Sequence, residues 1–355
     1  MKKLVVIAGP TAVGKSDIAV RLAGRLKGEV ISADSMQVYR FMNIGTAKLS
    51  PEEMHGVKHH LIDILDPSEE FNIVRFQELA LSAMEDIYRE GKLPIIAGGT
   101  GFYIQSVAYG IEFASSQGQY REELNELAKK EGVHVLHEML KEWDPESAEA
   151  IHENNVKRVI RALEFYRETG EKLSEHNIEQ RQKQSPYDLR YYVLTLPRPL
   201  LYERIDRRVD QMLANGLLEE TKRLVDMGLT DQNLSMQGLG YKQFYSYLKG
   251  EISYEEAVRL IKRDTRHFAK RQLTWFKRER DVRWIDLEQF ACDPERAVEY
   301  IVEDSNCSVS RSQTCEWRTN KVAWPSSRGI SHAQAAPAAV SAQGSWADTE
   351  DIKNG

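Results

Sequence analysis

Residues 9–16 read Gly9-Pro10-Thr11-Ala12-Val13-Gly14-Lys15-Ser16 and follow the pattern G-x-x-x-x-G-K-[ST] of a phosphate-binding loop. A short apolar run at 4–8 precedes the loop and favours a buried strand, and apolar residues at helical spacing follow it over 18–26. Backbone N–H groups of such a loop surround phosphate oxygens, Lys15 reaches the terminal phosphates, and the Ser16 hydroxyl can bind Mg²⁺. The sequence therefore predicts a site for a phosphorylated ligand.

Length and composition favour a soluble globular protein. The 355 residues suffice for two domains, and no apolar run approaches the roughly 20 residues that span a bilayer. The cysteines Cys292, Cys307 and Cys315 lack metal-ligand spacing, which favours a reducing, cytoplasmic location. A net charge of −6 argues against a generally basic nucleic-acid binder but allows local basic patches.

Strand and helix patterns alternate along much of the chain, which predicts an α/β fold: a P-loop NTPase-like parallel sheet flanked by helices. A helix is expected at 71–90, and buried strands are expected at 4–8, 30–33, 93–97, 191–196 and around Trp284-Ile285. Ligands of such sheets bind at the carboxyl ends of the strands. The phosphate loop, Asp34 and Gly98-Gly99-Thr100 all follow strands, so we expect them to share one crevice.

The domain plan follows from changes in composition. Residues 1–112 and 189–304 are expected to form the two parts of the α/β core, the second with C-terminal helices that include a long helix at 255–277. Between them, 113–188 predicts an all-helical insertion bounded by hinges, with helices at 120–130, 133–143 and 155–168. The Ser-, Ala-, Thr- and Gln-rich tail at 305–355 is expected to be disordered.

Asp34 is the main carboxylate beside the expected phosphate site. It could hold Mg²⁺, act as a general base, or only shape the turn after its strand. The strand at 93–97 ends in Gly98-Gly99-Thr100, where NTP-hydrolysing enzymes place an aspartate for Mg²⁺. The absence of an aspartate at this strand end weakens the ATPase interpretation.

Basic residues are concentrated in two further places. Arg204 and Arg208 share a face of one expected helix and could clamp an anion, or they could belong to a solvated charged face with Glu203 and Asp206. The segment 263–283 interleaves Arg and Lys with Phe268, Trp275 and Phe276, and Trp284 follows it directly. This pattern suits phosphate neutralisation and base stacking. The alternative is an aromatic core covered by basic side chains.

Histidines cluster at His55, His59 and His60. Two adjacent histidines cannot easily share one tetrahedral ion, and no cysteine lies nearby in sequence. We therefore expect buried or phosphate-facing histidines rather than a zinc site.

Taken together, these segments resemble the bacterial tRNA dimethylallyltransferase family, also called tRNA isopentenyltransferases. The resemblance covers about residues 1–290 and rests on the phosphate loop together with ISADSMQVY (31–39), NIGTAK (43–48), HHLID (59–63), GGTG (98–101), RALE (161–164), GYK (240–242) and AKRQLTWF (269–276). The tail after residue 304 resembles nothing in the family.

The resemblance implies transfer of a dimethylallyl group from dimethylallyl diphosphate to N6 of the adenosine 3′ of the anticodon (position 37), in tRNAs reading codons that begin with U. Mg²⁺ is the implied cofactor, held through Ser16. Lys15 and Arg208, preferred over Arg204, would stabilise the departing diphosphate. Asp34 would accept a proton from the N6 amine or hydrogen-bond it, and Thr100 would position donor and acceptor. The loop would then hold the donor diphosphate rather than ATP.

The resemblance also implies that the adenine is flipped out of its stack and that the helical insertion grips the anticodon stem. The enzyme is expected to be monomeric. The implied tRNA contacts are Asp34, Ser35, Met36, Gln37, Thr100, Arg121, Lys157, Arg158, Val159, Ile160, Arg161, Gln237, Gly238, Leu239, Gly240, Tyr241, Lys242, Lys270, Arg271, Gln272, Trp275 and Lys277.

Two other functions fit a phosphate loop. A P-loop nucleotide or small-molecule kinase also uses such a loop with a helical lid, and it would bind ATP and transfer a phosphoryl group. An RNA-binding regulator could retain a degenerate loop, but the intact Lys15, Ser16, Asp34 and Thr100 argue against it.

Overall fold

The structure, a computed structural model, describes residues 1–113 and 120–306. The expected hinge at 115–119 lies outside these residues, and so does the expected tail beyond residue 306, with Cys307 and Cys315. No helix in the described ranges is long and apolar enough to cross a membrane.

A parallel sheet lies at the centre of the described chain, as predicted, and it has six strands. Its strands are β1 Lys3–Ala8, β2 Gly28–Ala33, β3 His59–His60, β4 Leu93–Gly98, β5 Asp188–Thr195 and β6 Val282–Asp286. They lie in the order β3-β2-β4-β1-β5-β6. The two-residue strand β3 was not predicted, because its histidines carry no apolar pattern.

Helices account for most of the remaining described residues. The α-helices are α1 Lys15–Leu26, α2 Ile73–Arg89, α3 Gly101–Ala108, α4 Arg121–Glu131, α5 Val133–Trp143, α6 Pro145–Ala150, α7 Val156–Thr169, α8 Leu173–Gln182, α9 Arg198–Ala214, α10 Leu217–Asp226, α11 Tyr241–Leu248, α12 Tyr254–Phe276 and α13 Pro294–Asn306. Two 3₁₀ helices span Leu234–Gln237 and Leu287–Phe290. The helices expected from periodicity at 71–90 and 255–277 correspond to α2 and α12.

The sheet is covered on both faces. Successive side chains of a strand point to opposite faces, so Leu4 and Val6 of β1 join one hydrophobic cluster, whereas Val5 and Ile7 join another. Helix α2 packs into the first cluster and α1 into the second. Burial on both faces explains why the strands read as continuous apolar runs rather than as alternating patterns.

Helices α4 to α8 follow one another between β4 and β5 in the described chain. Three of them, α4, α5 and α7, lie where periodicity predicted helices. They share a hydrophobic cluster of their own, which contains Leu124, Leu136, Leu140 and Leu163. This separate cluster supports the predicted insertion, and the division into domains stays a prediction.

Strand register brings the three expected site loops together. Gly98 of β4 pairs with Ala8 of β1 on one side and with Ala33 of β2 on the other. The phosphate loop, Asp34 and Gly99-Thr100 therefore leave the same edge of the sheet side by side. The Thr100 N–H donates to the Ala33 carbonyl at 3.3 Å, which joins two of these loops directly.

Candidate active site

The phosphate loop follows β1 and ends where α1 begins at Lys15. Gly9 has φ +147°, and a Cβ there would lie 2.6 Å from the Leu194 carbonyl oxygen, so only glycine fits this close approach. Gly14 has φ +105°, which also favours glycine. The Lys15 ammonium donates to the Pro10 carbonyl at 2.8 Å and thus folds back over the loop. The loop therefore presents Lys15 and the positive end of α1 to one crevice.

Lys15, Arg208 and Asp34 lie close enough for their charges to act on one another. Burial lowers the pKa of Lys15 to about 7; Arg208 contributes to the decrease and Asp34 opposes it. Burial likewise lowers the pKa of Arg208, again against the effect of Asp34. Two cations held out of water favour an anionic ligand that replaces their lost hydration.

We expect the protein to bind inorganic pyrophosphate more weakly as pH rises through about 7, where Lys15 loses its proton in the free protein. Above that pH the affinity should fall by up to about tenfold per unit, since one proton is coupled to binding. Isothermal titration between about pH 6 and pH 9 measures this dependence. Lys15→Arg stays charged, so it should lack this loss, while ionisation of the ligand itself affects both proteins equally. Identical profiles would contradict the assignment.

The Asp34 carboxylate is fixed by a turn. Its Oδ1 accepts from the backbone N–H groups of Met36 at 2.9 Å and Gln37 at 3.3 Å. Gln37 is held in turn, because its Oε1 accepts from the Ser32 hydroxyl at 2.9 Å and its Nε2 donates to the Thr46 carbonyl at 3.2 Å. Asp34 thus shapes the turn through one oxygen, and this restraint orients the carboxylate as a whole.

Thr100 lies at the N-terminus of α3, directly after Gly98 and Gly99 of the β4 end. Its carbonyl accepts from the N–H groups of Tyr103 and Ile104 at 3.0 and 3.2 Å, but its side chain does not cap the helix. The Thr100 hydroxyl is therefore not used to cap α3, and the Thr100 backbone lies beside the end of β2, which Asp34 follows.

Helix α9 contributes the arginines of the site. Arg204 and Arg208 share the face toward the phosphate loop, where Arg204 Nη1 lies 3.5 Å from the Val13 carbonyl oxygen. Arg207 instead pairs with Glu203 at 2.6 Å on the exposed face. Of the two interpretations for Arg204 and Arg208, the anion clamp therefore fits their positions better than a solvated charged face.

A metal ion would rely on few protein ligands at this site. Within 1–113 and 120–306 no group of three or more His, Cys, Asp or Glu side chains could hold one. Ser16 is the second residue of α1, beside Lys15, and its hydroxyl is a hard oxygen donor. Mg²⁺ commonly takes one or two protein oxygens and completes its shell with phosphate oxygens and water. Ser16 in this loop therefore fits Mg²⁺ that is bound together with a diphosphate.

The histidine cluster lies elsewhere. His60 Nε2 lies 2.6 Å from Glu29 Oε2, and His59 Nδ1 lies 2.8 Å from the Val57 carbonyl oxygen. Glu29 is near the amino end of β2 and also accepts from Lys92 at 2.6 Å. The expectation of buried or phosphate-facing histidines is therefore wrong: His59 and His60 are half-buried and bonded away from the phosphate loop, and His55 is exposed.

Helix α12 carries a basic and aromatic groove of about 410 Å³ along its exposed side. The residues that line it, called the α12 groove below, are His267, Lys270, Arg271, Thr274, Trp275 and Arg278. The Trp275 ring lies over Gly101, where an added Cβ would come within 2.1 Å of the ring. The groove therefore borders the loop that carries Thr100.

Part of the basic and aromatic segment has a structural role. Phe276 is fully buried, so the core alternative is right for this ring. Arg263, Arg266 and Arg283 pair with Asp264, Asp206 and Asp304, respectively. The basic and aromatic pattern of 263–283 thus predicted a ligand surface over the whole segment, and the structure restricts this surface to the α12 groove.

Segment 237–242 packs against the loops around Asp34. A Cβ at Gly238 would lie 3.4 Å from Met36 Sδ, and one at Gly45 would lie 2.5 Å from the Tyr241 ring. Tyr241 also donates from its hydroxyl to Glu220 Oε1 at 2.6 Å. The segments at 34–37, 43–48 and 237–242 therefore pack together.

Glu220 supports a loop of the candidate site, and the sequence did not indicate this role. Its buried carboxylate accepts from the backbone N–H groups of Asn43, Ile44 and Gly45 at 2.9 to 3.1 Å. In sequence it is one of several acids on an amphipathic helix, and only burial distinguishes it from an exposed glutamate. Its role is to hold the 43–45 loop in place.

Other residues expected to contact tRNA vary in exposure. Lys157 and Arg158 of α7 are exposed, but Val159 and Ile160 are buried in the cluster of the helical insertion. Arg121 donates from Nε and Nη2 to Glu164 at 3.0 and 2.7 Å, and its side chain stays half exposed. The side chains of Val159, Ile160 and the buried Tyr241 therefore support the surface and are not presented to a partner.

The parallel sheet, the phosphate loop with the buried cations Lys15 and Arg208, and the adjoining basic groove define a phosphate-loop α/β protein. The family model described as IPP transferase matches residues 37–279. The chain belongs to this family, and it is a transferase.

Curated relatives agree over nearly their whole length. The chain is 55% identical over 303 residues to the tRNA dimethylallyltransferase of Lachnoclostridium phytofermentans, with 85% of this chain and 97% of the relative covered. It is 50% identical over 295 residues to that of Acetivibrio thermocellus, with 82% and 94% covered.

Solved structures share the fold. The full-length tRNA isopentenylpyrophosphate transferase of Bacillus halodurans is 46% identical with a TM-score of 0.64, and the match covers 86% of this chain and 98% of that one. A eukaryotic dimethylallyltransferase, solved in snapshots of its action on tRNA, is 33% identical with a TM-score of 0.76, with 88% and 82% covered.

Proposed function

We propose that the chain transfers the dimethylallyl group of dimethylallyl diphosphate to N6 of the adenosine 3′ of the anticodon in tRNAs that read codons beginning with U, and releases diphosphate. The observation that carries the proposal is the contact between two sites. The crevice with Lys15, Arg208 and Asp34 adjoins the α12 groove through Gly101 and Trp275. A diphosphate donor and an RNA acceptor can therefore meet at Thr100.

At the donor end, the bond between C1 of the dimethylallyl group and the diphosphate oxygen breaks, and its electron pair stays with the oxygen. Negative charge on the leaving group grows as this happens. Lys15 and Arg208 lie in the same poorly hydrated crevice, where fixed cations stabilise such charge more strongly than in water. Arg204, on the same face of α9, supports the loop at Val13.

At the acceptor end, N6 of adenine forms the new bond to C1 and loses a proton. The Asp34 carboxylate, oriented by Met36 and Gln37, is the proposed acceptor of that proton or of the N6 hydrogen bond. Thr100, joined to Ala33 by its N–H, is proposed to align the amine with C1. An adenine flipped out of its stack would reach both side chains.

A divalent metal is expected for a family that releases diphosphate, and we propose that it is Mg²⁺ held by Ser16 and by donor oxygens. When bound, Mg²⁺ would neutralise charge on the diphosphate. Lys15 would remain the charged protein group on the terminal phosphate, because bound diphosphate stabilises its protonated form.

The tRNA is proposed to lie along the α12 groove, with the exposed Lys157 and Arg158 of α7 contacting its stem. Phosphate contacts by lysine and arginine would supply most of the affinity, and Trp275 would stack on an unpaired base. A monomeric, cytoplasmic enzyme completes the proposal.

The kinase alternative is not supported. The relatives and solved structures are named for prenyl transfer to tRNA. In addition, β4 ends at Gly98 and is followed by Gly99-Thr100, without the strand-end carboxylate that hydrolysing P-loop enzymes use for Mg²⁺.

The purified full chain should transfer label from dimethylallyl diphosphate, and not from γ-labelled ATP, to an anticodon stem-loop RNA. Mass analysis of the digested RNA should locate the product at the adenosine 3′ of the anticodon. A stem-loop with guanosine at that position is the control, since it lacks the N6 amine. Label from ATP, or an unmodified adenosine, would overturn the proposal.

We expect Lys270→Ala to weaken binding of the stem-loop and to lower the slope of log affinity against log salt by about 1, because one phosphate contact is lost. Lys270 is exposed and lines the α12 groove. Fluorescence anisotropy across a salt series measures both quantities. Arg259→Ala is the matched control, since it removes a cation from the same helix that pairs with Glu256 at 2.6 Å. Equal slopes for the two variants would contradict the groove assignment.

A further inference from the structure

The side-chain amide of Gln272 bridges two loops of the active site. Its Oε1 accepts from the Thr11 N–H of the phosphate loop at 2.8 Å. Its Nε2 donates to the Gly99 carbonyl, directly before Thr100, at 3.0 Å. Gln272 is 6% exposed, so both bonds are shielded from water. Because it is buried, the side chain is not available for the direct tRNA contact that the family resemblance implied.

The Gln272 amide fits closely between Thr11 and Gly99. A Cβ at Gly99 would lie 2.1 Å from Gln272 Nε2, so a larger residue at position 99 would displace the amide. Only a side chain that both accepts and donates can satisfy Thr11 N–H and the Gly99 carbonyl together. One residue therefore fixes the spacing between the diphosphate cradle and the loop that carries Thr100.

Gln272 belongs to the helix that forms the α12 groove. Lys270, Arg271 and Trp275 line the groove from the same 23-residue helix, and Trp275 also packs against Gly101. A continuous helix moves as a unit over such short distances. RNA bound in the groove therefore acts on the same element that holds Thr11 and Gly99.

We propose that Gln272 is a positioning residue through which RNA in the α12 groove and a diphosphate at the phosphate loop strengthen each other's binding. The inference rests on the proposed function for the identity of the two ligands. Such coupling is reciprocal, and between two sites of one protein it typically amounts to about 5- to 150-fold. The bond to Thr11 carries the effect to the diphosphate, and the bond to Gly99 carries it to Thr100.

The test measures the affinity of inorganic pyrophosphate by isothermal titration, in Mg²⁺ buffer, with and without saturating anticodon stem-loop. In the unaltered protein, RNA should tighten pyrophosphate binding by about 5- to 150-fold. In Gln272→Ala the ratio should approach one, with RNA still bound. A ratio near one in the unaltered protein, or an undiminished ratio in Gln272→Ala, would overturn the proposal.

Further variants separate coupling from loss of structure. Gln272→Glu places a carboxylate oxygen opposite the Gly99 carbonyl oxygen, where Nε2 donates in the unaltered protein. The two acceptors repel each other, so the side chain should leave both partners, and this variant too should lose the coupling. Gly99→Ala should act like Gln272→Ala, and the double variant should be no worse than either, because both changes break one contact. Arg259→Ala, on the same helix, should retain the full ratio. Fully additive effects would contradict the bridge.

The proposed function is tested separately by prenyl transfer with the unaltered protein. Absence of transfer with intact coupling would reject the donor or acceptor chemistry and leave the Gln272 bridge standing. Normal transfer without coupling would reject the Gln272 bridge and leave the proposed function standing.

Discussion

Asp34→Asn is expected to slow prenyl transfer by about 10²- to 10⁴-fold, the usual contribution of a positioned proton acceptor. Asparagine keeps the oxygen that accepts from Met36 and Gln37, so the turn after β2 is preserved. The substitution removes the negative charge and the basicity of the side chain that is proposed to face the N6 amine. Single-turnover transfer to the stem-loop, at saturating donor and RNA, measures the effect on chemistry.

Binding of RNA should change little in Asp34→Asn, which separates a chemical defect from a folding defect. Asp66→Asn is a matched control, because Asp66 also accepts a backbone N–H at 2.9 Å in a turn, from Ser68. It should leave the transfer rate unchanged. Unchanged turnover in Asp34→Asn would show that Asp34 has no catalytic role. Its role would then be limited to shaping the turn after β2.

Lys15→Met is expected to weaken use of dimethylallyl diphosphate, with kcat/KM for the donor lowered by about 10²- to 10³-fold. Methionine preserves an unbranched apolar side chain in the partly buried position but removes the cation. The reason for a large effect is the crevice: the burial that lowers the pKa of Lys15 also strengthens its interaction with a bound diphosphate. Initial rates over a donor series at fixed RNA measure it.

The KM for tRNA should stay nearly constant in Lys15→Met, since Lys15 lies in the phosphate loop and not in the α12 groove. Arg25→Ala is the control on the same helix, where an exposed arginine pairs with Glu295 at the far end of α1. A Lys15→Met enzyme with ordinary donor kinetics would refute the assignment of the loop to the diphosphate.

The sequence predicted the sheet, the phosphate loop and the carboxyl-edge location of Asp34 and Thr100, because apolar runs and glycine spacing are local properties. It could not predict β3, whose two residues carry no pattern, or the buried Glu220, which resembles an exposed helix acid. The family resemblance implied that Gln272 contacts tRNA, whereas this buried side chain is bonded to Thr11 and Gly99.

The sequence by itself determined the class of fold and the residue types at the site, since strand-loop-helix order and motif spacing are written along the chain. Only the tertiary structure decided which of the basic residues on α9 and α12 remain available for ligands. Arg266 is paired with Asp206, whereas Arg208 lies beside Lys15 and Asp34 and Lys270 lines the α12 groove. The physical reason is that pairing and burial depend on contacts between residues far apart in sequence, such as Thr11 and Gln272, and no local pattern records them.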